Sequence, residues 1–164
     1  MESSADVTYT IGPPRPGDGG WVIATHAAAY GKSHGYDASF EVLVARLVAN
    51  LLVPEDPTHE RLWIARTDRA VGSIYCRRED TGIARLGLFW VDDGMRGQGL
   101  GASLVRTCLD FAGTAGYGRV VLTTTPAQGA ARRLYARAGF ACRRSHLERG
   151  FGVEYTAETW VKDL

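Results

Sequence analysis

The clearest hydrophobic pattern in the chain lies in residues 40–52. Large apolar side chains recur there at spacings of three and four, and Pro54 follows shortly after the last of them. Such spacing places the apolar groups on one face of an α-helix, and a proline just beyond it is typical of a helix end. The apolar positions are Phe40, Leu43, Val44, Leu47, Val48, Leu51 and Leu52. The pattern therefore predicts a helix that buries one face.

Shorter apolar stretches, bounded by polar residues, glycine or proline, predict β-strands. Residues 7–11 alternate in polarity and stop at Gly12, which is typical of a half-buried strand. Residues 61–66 and 71–77 flank a short turn, so we expect them to form a hairpin. Four later strands are predicted, the first of them antiparallel to the hairpin, at residues 83–91, 119–125, 140–144 and 153–161.

Three further segments favour helices. Residues 17–36 begin as a helix and are expected to become a loop within the glycine-containing segment 31–35. Residues 99–115 and 127–138 are also predicted to be helical, and Gly139 ends the second of them. Antiparallel strands followed by strand, helix, strand and helix predict an α+β protein, in which a mixed sheet carries helices on both faces.

Length and composition indicate one domain, residues 1–164. The chain is 45% hydrophobic, which supplies enough apolar material for a single core. No repeat or linker interrupts it, apart from the glycine- and proline-rich residues 12–20. The net charge of +1 gives no electrostatic reason to expect a nucleic-acid partner.

The cysteines and the N-terminus favour a cytoplasmic protein. Cys76, Cys108 and Cys142 show no spacing typical of a disulfide framework or a zinc site, so we expect a reducing compartment and no metal. The first residues lack the basic and then apolar build of a signal peptide, and no apolar run is long enough to span a bilayer. A soluble protein without a membrane partner is predicted.

A glycine-rich segment joins the predicted strand 83–91 to the predicted helix 99–115. It contains Arg96 and three alternating glycines, Gly97, Gly99 and Gly101. Glycine lets the backbone approach a ligand closely, and the first N–H groups of a helix, with the positive end of its dipole, attract anions. The segment predicts a cradle for a phosphate or pyrophosphate. An ordinary glycine-rich turn is the alternative, because short glycine patterns are weak signals.

A second motif further along the chain makes this interpretation more specific. Residues 128–140 contain A-x-x-L-Y-x-x-x-G-F with Tyr135 at its centre, and Arg96, Gly99 and Gly101 satisfy R-x-x-G-x-G/A. Together the two motifs resemble the GNAT superfamily of acyl-CoA-dependent N-acyltransferases. In that family the first motif wraps the pyrophosphate of acetyl-CoA, and the second supplies a tyrosine near the thioester.

Other residues resemble one branch of that superfamily, the acetyltransferase domain found fused to MarR-type DNA-binding regulators. They are His26, Tyr30, Gly35, Tyr36, Asp37, Trp63, Ile64, Ala65, Gly116, Tyr117, Phe151, Gly152, Thr159 and Trp160. The sequence contains no MarR-type segment, so we expect a free-standing relative of that domain. The resemblance implies a GNAT-like fold with a central, mostly antiparallel sheet of six to seven strands.

The resemblance also implies an enzyme that transfers an acetyl group directly from acetyl-CoA, its co-substrate, to a primary amine of a small molecule, without a metal. Tyr135 is expected to protonate the leaving thiolate, although a core tyrosine is the simpler interpretation without the resemblance. The backbone of residues 89–91 is expected to pair with the pantetheine amides. The residues expected to contact acetyl-CoA are Phe89, Trp90, Val91, Arg96, Gly97, Gln98, Gly99, Leu100, Gly101, Ala102 and Gln128.

The sequence leaves open which group accepts the proton of the amine. The residues expected to border the acceptor are His26, Tyr30, His34 and Asp37. Among them a histidine is attractive as a base because its charge changes near neutral pH. Glu79 and His146 are further candidates, and deprotonation relayed by water is an alternative.

Three positions depart from the MarR-linked domains. Gly87 stands where an arginine is typical, Thr123 where a tryptophan is frequent, and Gln128 where an asparagine is usual. Gln128 keeps an amide, so a contact with the pantetheine arm is still expected. The other two positions indicate a rebuilt acceptor pocket.

Three other classes of protein were weighed against this interpretation. A dinucleotide-binding unit would use Gly97, Gly99 and Ala102, but strand 119–125 lacks the acidic residue that holds the ribose hydroxyls, and several strands precede the motif. A non-catalytic acyl-CoA-binding regulator would keep the cradle and lose the acceptor chemistry. An interaction module that forms a homodimer would use the helix 40–52, which is more simply explained as core.

Overall fold

The computed structural model describes residues 6–164. Its strands are β1 (Thr10–Gly12), β2 (Arg61–Arg66), β3 (Ala70–Asp80), β4 (Ile83–Val91), β5 (Arg119–Thr124), β6 (Ala141–Gly150) and β7 (Val153–Asp163). Its helices are α1 (Asp18–His34), α2 (Ala38–Leu52), α3 (Leu100–Thr114) and α4 (Gly129–Arg137). A short 3₁₀ turn, Asp93–Met95, connects β4 to the segment that leads into α3.

The strands form one sheet in the order β1-β2-β3-β4-β5-β7-β6. The β4–β5 pair is parallel, and the other neighbouring pairs are antiparallel. Helix α3 supplies the crossover connection that a parallel pair requires. The predicted α+β class and the mostly antiparallel mixed sheet are therefore confirmed.

Alternating side chains along β2 divide the core into two layers. Leu62 and Ile64 pack with α1 and α2, whereas Trp63 and Ala65 pack with α3 and α4. Successive side chains on a strand point to opposite faces of the sheet. The helices therefore cover both faces, as predicted.

Helix α2 buries the face that its hydrophobic spacing predicted. Val44, Val48 and Leu51 are buried, whereas Leu43 and Leu52 are exposed at the margins of the apolar stripe. The stripe in the sequence is therefore wider than the face that fits against the sheet. No helix among residues 6–164 combines the length and the apolar character needed to cross a membrane.

Helix α1 continues through the segment that the sequence predicts as a loop. Gly31 lies inside the helix, which ends at Gly35, where φ is 71° and the N–H bonds to the Gly31 carbonyl. A glycine costs only about 1 kcal/mol inside a helix, whereas the left-handed position at a helix end strongly favours it. The loop prediction is wrong because it assumed that the helix ends at the first glycine, Gly31, whereas the helix continues to His34. The correction places Ser33 and His34 on the last helical turn.

Five of the seven strands, all except β2 and β4, have bounds different from those predicted, and β1 and β6 show the reasons. The first strand is β1, Thr10–Gly12, instead of residues 7–11, because the pairing with β2 starts at Thr10. The strand predicted at residues 140–144 is longer, since β6 pairs with β7 as far as Gly150. Most side chains of β6 are exposed, so its second half has no apolar alternation from which a strand could be recognised.

We expect Leu104→Ala to lower the free energy of unfolding by about 2–5 kcal/mol, because it opens a cavity in the core. Leu104 is 0% exposed in the layer between α3 and the sheet. The same substitution at Leu147, which is 70% exposed on β6, is the matched control and should change stability by less than about 0.5 kcal/mol. Urea unfolding of both variants measures the difference. Equal losses would contradict this description of the core.

Candidate active site

The site begins where β4 and β5 stop pairing. Their parallel register runs from Ile83 opposite Arg119 to Arg85 opposite Val121, and no pair follows. Beyond Arg85, β4 continues beside β3, and β5 continues beside β7. The edge of β4 that faces β5 therefore has no strand partner over residues 86–91. Its N–H and C=O groups are available to a ligand that enters between the two strands.

An irregularity in β4 lies beside this opening. Leu88 has a φ of 46°, the register with β3 shifts between Ser73 and Tyr75, and Ser73 Oγ donates a hydrogen bond to the Leu88 carbonyl at 2.6 Å. A bulge of this kind bends a strand and changes the direction of its side chains and backbone groups. The pairing of β4 with β3 is therefore disturbed beside the opening.

Gly87 is required by packing against β3. A Cβ atom at this position would lie 2.4 Å from the ring of Tyr75, which is buried between the sheet and the layer of α1 and α2. An arginine at position 87 would therefore collide with that ring. The tyrosine fills the space, which gives a physical reason for the glycine at this position.

A cavity of about 1200 Å³ occupies the opening and extends along α3 and α4. Its lining includes most of the residues predicted to contact acetyl-CoA, but not Gln98. The side chain of Gln98 instead donates to the Gly94 carbonyl at 3.4 Å. The predicted residues on the lining are Phe89, Trp90, Val91, Arg96, Gly97, Gly99, Leu100, Gly101, Ala102 and Gln128.

The glycines at the start of α3 have two different roles. Gly97 and Gly99 have φ angles of 76° and 78°, which favour glycine, and they lead into a helix whose first turn has no acidic residue and no side-chain cap. Uncapped N–H groups at a helix start form an anion site. Gly101, in contrast, is required by packing, because a Cβ there would lie 2.7 Å from Leu134 and 3.3 Å from Phe89.

Basic side chains surround the outer part of the cavity. Four of them were not predicted from the sequence: Arg106 on α3, Arg133 and Arg137 on α4, and Lys162 on β7. Arg133 and Arg137 lie four residues apart, a spacing that places both on one helix face and could have indicated a shared site. Arg96 also lines the cavity, with its Nε donating to Asp93 at 2.9 Å. Five basic side chains thus line the cavity against two acidic ones, Asp110 and Asp163, so the lining favours a ligand that carries several negative charges.

Tyr135 lies in the core beside the cavity and is not part of its lining. Its ring packs against Phe89, Phe140 and Trp160 at centroid distances of 5.8, 6.0 and 6.4 Å. Burial raises the pKa of its phenol, since the interior disfavours the phenolate. The phenol therefore stays protonated at neutral pH and retains a proton that it can donate.

Two of the four predicted acceptor-side residues, Tyr30 and His34, line the cavity from the last turns of α1. Gln128 Nε2 donates to Tyr30 Oη, and Gln128 Oε1 accepts from Thr124 Oγ1 at 2.5 Å. His34 Nε2 lies 3.0 Å from Thr125 Oγ1. These contacts connect the end of α1 to the segment between β5 and α4.

The other two acceptor-side residues lie outside the cavity lining. His26 is 2% exposed, its Nδ1 donates to the Val22 carbonyl at 2.9 Å, and burial lowers the pKa of its imidazole to about 4. Asp37 caps α2, with Oδ1 accepting from the N–H of Ser39 at 2.9 Å. His26 stacks on Tyr30 with a ring-centroid distance of 6.4 Å, but neither His26 nor Asp37 lines the cavity.

The two further candidates for the base are engaged by neighbouring side chains. Both oxygens of Glu79 accept from Arg85, at 2.7 and 3.0 Å, and these contacts lower the pKa of its carboxyl. His146 Nε2 contacts the Glu148 carboxylate. Arg85 also donates to Thr123 Oγ1 at 2.9 Å, so the threonine at this departure from the MarR-linked domains accepts a hydrogen bond from β4. Among residues 6–164, no group of three or more His, Cys, Asp or Glu side chains could hold a metal ion.

Comparison with known proteins identifies the family to which this fold and cavity belong. A family model described as "Acetyltransferase (GNAT) family" matches residues 30–140. That range contains both sequence motifs, strands β2 to β5 and helix α3. The chain therefore belongs to the GNAT acetyltransferase family. Its likeness to MarR-linked domains stays a prediction.

Two curated relatives match about half of the chain. N-acetyltransferase 8B of Homo sapiens is 40% identical over 84 residues, which are 48% of this chain and 37% of that protein. N-acetylaspartate synthetase of Danio rerio is 36% identical over 86 residues, which are 51% of this chain and 30% of that protein. The match thus spans 37% of the length of the first relative and 30% of the second.

A solved structure shares the fold across nearly the whole chain. It is that of yncA from Salmonella typhimurium with its cofactor acetyl-CoA, and it superposes with a TM-score of 0.72 and 16% sequence identity. The match covers 95% of this chain and 94% of the other. At this level of identity the likeness concerns the fold.

The buried imidazole of His26 predicts a pH-dependent stability. Its pKa is about 4 in the folded protein and 6.5 in the unfolded chain, so the unfolded chain binds more protons between these values. Stability should therefore fall as the pH drops through this window, by up to about 3 kcal/mol from this group. In His26→Gln that part of the pH dependence is lost.

Urea unfolding of the wild type and of His26→Gln, at neutral pH and at about pH 4, isolates the effect, because the carboxyl groups common to both proteins cancel in the difference. The advantage of the wild type over the variant should shrink by about 3 kcal/mol at the lower pH. A difference that is independent of pH would show that His26 is not a buried neutral imidazole.

Proposed function

We propose that this protein is an acetyl-CoA-dependent N-acetyltransferase that acts on a primary amine of a small molecule. The observation that carries the proposal is the divergence of β4 and β5 after Arg85 and Val121, which opens the cavity beside an unpaired strand edge. Such an opening lets an extended ligand with amide groups add to the sheet as a strand would. The pantetheine arm of acetyl-CoA is a ligand of that kind.

The cavity residues fit the charge of this donor. The uncapped start of α3, with Gly97 and Gly99 in left-handed conformations, suits a pyrophosphate, which would accept from its N–H groups. Arg96, Arg133 and Lys162 line the same cavity and would neutralise phosphate charge. The GNAT family to which the chain belongs and the acetyl-CoA bound in yncA support this choice of ligand.

The chemistry follows from what the transfer of an acetyl group to an amine requires. The amine nitrogen attacks the thioester carbonyl, a tetrahedral intermediate forms, and the C–S bond then breaks. The unpaired N–H groups of residues 86–91 would stabilise the oxyanion. Tyr135, kept protonated by burial, would donate its proton to the leaving thiolate and recover one from the new amide nitrogen.

The acceptor would approach from the end of α1, where Tyr30 and His34 line the cavity. The side chains that α1 contributes to the lining are Ala29, Tyr30, Ser33 and His34, and none of them is an aspartate, glutamate, lysine or arginine. The relative named N-acetylaspartate synthetase supports an amine of small size as the acceptor. We therefore expect the acceptor to be a small amine, such as an amino acid.

Binding of the donor can be tested on the cradle. In a variant that combines Arg96→Ala with Gly99→Ala, we expect the Kd for acetyl-CoA to rise at least about tenfold, a loss of about 1.4 kcal/mol. The substitutions remove a cation and force an alanine into a φ of 78°. Isothermal titration calorimetry measures both proteins, with NAD as a ligand that neither should bind.

The matched control for this experiment is Arg149→Ala. Its side chain is 88% exposed and contacts Glu154 at the far end of β6. It should bind acetyl-CoA as the wild type does. If the wild type binds no acetyl-CoA, or if the cradle variant binds it unchanged, the proposed donor site is wrong.

The role of the phenol can be tested with Tyr135→Phe, which keeps the ring and removes the acid. We expect kcat to fall by about 10²-fold while the Kd for acetyl-CoA stays the same, because proton transfer by a positioned side chain typically contributes 10²-fold or more. Release of free thiol from acetyl-CoA with a panel of small amines measures turnover.

Tyr117→Phe is the control. Tyr117 and Tyr135 are both 5% exposed, but the Tyr117 hydroxyl donates to the His59 carbonyl, away from the cavity lining. An unchanged kcat in Tyr135→Phe would remove the assignment of this residue as the acid. Turnover with none of the amines by the wild type would overturn the proposed function itself.

A further inference from the structure

Transfer of an acetyl group from acetyl-CoA to an ammonium group releases one proton to the solvent, and the structure indicates which residue receives it. Resting on the proposed function, we propose that His34 is the proton acceptor of this site, and that Ser33 connects it to the acceptor amine and to the solvent. Thr125 holds the imidazole in the orientation that this role needs.

The contacts of His34 form a chain from the interior to the surface. Nε2 lies 3.0 Å from the hydroxyl of Thr125, which is 8% exposed at the end of β5. Nδ1 lies 2.6 Å from the hydroxyl of Ser33, which is exposed. In the tautomer with the proton on Nε2, Thr125 accepts from the ring, and Nδ1 accepts from Ser33. Both Ser33 and His34 line the cavity.

The ring is in the protonation state that a base requires. Partial burial lowers the pKa of His34 below its usual 6.5, so the imidazole is neutral at physiological pH. Two phenols pack against the ring: Tyr30 of α1 is stacked on it and Tyr36 of the following loop is tilted, at centroid distances of 4.9 and 5.1 Å. The His34 ring also faces the hydroxyl of Thr125, which lies in the segment after β5. No charged side chain among residues 6–164 contributes to the shift of its pKa.

None of the other candidates lines the cavity. His26 Nδ1 is bound to the Val22 carbonyl one turn earlier in α1, and Asp37 caps α2. Glu79 is bound by Arg85 through both of its oxygens, and His146 contacts Glu148 on the edge strand β6. Of the ionisable groups considered as a base, His34 is therefore the one with a face on the cavity.

The proton balance of the step is complete with these residues. The acceptor ammonium gives a proton to Ser33 Oγ as the hydroxyl of Ser33 gives its own proton to His34 Nδ1, which leaves a neutral amine and an imidazolium. The Nε2–H bond to Thr125 keeps the ring in place. The imidazolium then returns the proton from Nδ1 through the exposed Ser33 hydroxyl to water. A second amine proton ends on the sulfur of coenzyme A after the C–S bond breaks.

The test compares His34→Gln with His59→Gln in the full-length protein. In the wild type, kcat at saturating substrates should rise with pH through an apparent pKa below 6.5, because the neutral imidazole is the active form. In His34→Gln we expect that inflection to disappear and kcat to fall by about 10²-fold. His59 pairs with Asp56 at 2.8 Å outside the cavity lining. The His59→Gln substitution should therefore leave kcat and its pH inflection unchanged.

Chemical rescue separates proton transfer from a structural effect. Added imidazole should restore turnover in His34→Ala, since a free base can occupy the space left by the ring, and it should not stimulate the wild type. If the wild type is active and His34→Gln has the same kcat and the same pH inflection, the assignment of His34 is wrong and the proposed function still stands. A wild type that acetylates no amine would overturn the proposed function, and this inference with it.

Discussion

The limited pairing of the one parallel strand pair is the constraint on which the site depends. Three residue pairs, from Ile83–Arg119 to Arg85–Val121, hold β4 and β5 together, and the two strands then follow different neighbours. An unpaired backbone inside a protein is costly unless another partner satisfies it. The divergence therefore creates both a cavity and a row of hydrogen-bonding groups that a ligand can satisfy. The helix that starts beside the opening, α3, adds its uncapped N–H groups to the same cavity.

Packing and ligand binding are combined in the glycines around this opening. Gly99 is required by its backbone conformation, with φ at 78°. Gly101 is required because a side chain there would collide with Leu134 and Phe89. Gly87 is required because a side chain there would collide with the ring of Tyr75. A motif that resembles a phosphate cradle thus also brings α3 and α4 close together. The packing of Leu134 on Gly101 places Tyr135 in the layer beside β4.

The cavity has two ends of different electrostatic character. Away from α1, arginine and lysine side chains of α3, α4 and β7 outnumber the two aspartates of the lining, Asp110 and Asp163, which suits the phosphates of a nucleotide-like donor. Near α1, burial keeps the ionisable groups neutral: it lowers the pKa of His34 and raises that of Tyr30. Neutral groups of this kind can exchange protons without carrying a permanent charge into the interior. The difference between the two ends matches the proposed division between binding the donor and transferring protons.

The sequence by itself determined most local elements and contained both family motifs, because hydrophobic spacing, glycines and short motifs are local signals. It predicted α2, α3 and the β2–β3 hairpin, and it contained the glycine-rich segment that precedes α3. It missed the second half of β6, whose polar residues become a strand by pairing with β7, and the basic residues of α4 and β7. Only the tertiary structure decided which candidate bases share the cavity. His26, His34 and Asp37 lie within twelve residues of one another, yet of these three only His34 lines the cavity. Asp37 is engaged locally as the cap of α2, whereas the burial of His26 and the contact of His34 with Thr125 depend on packing between segments that are distant in the sequence.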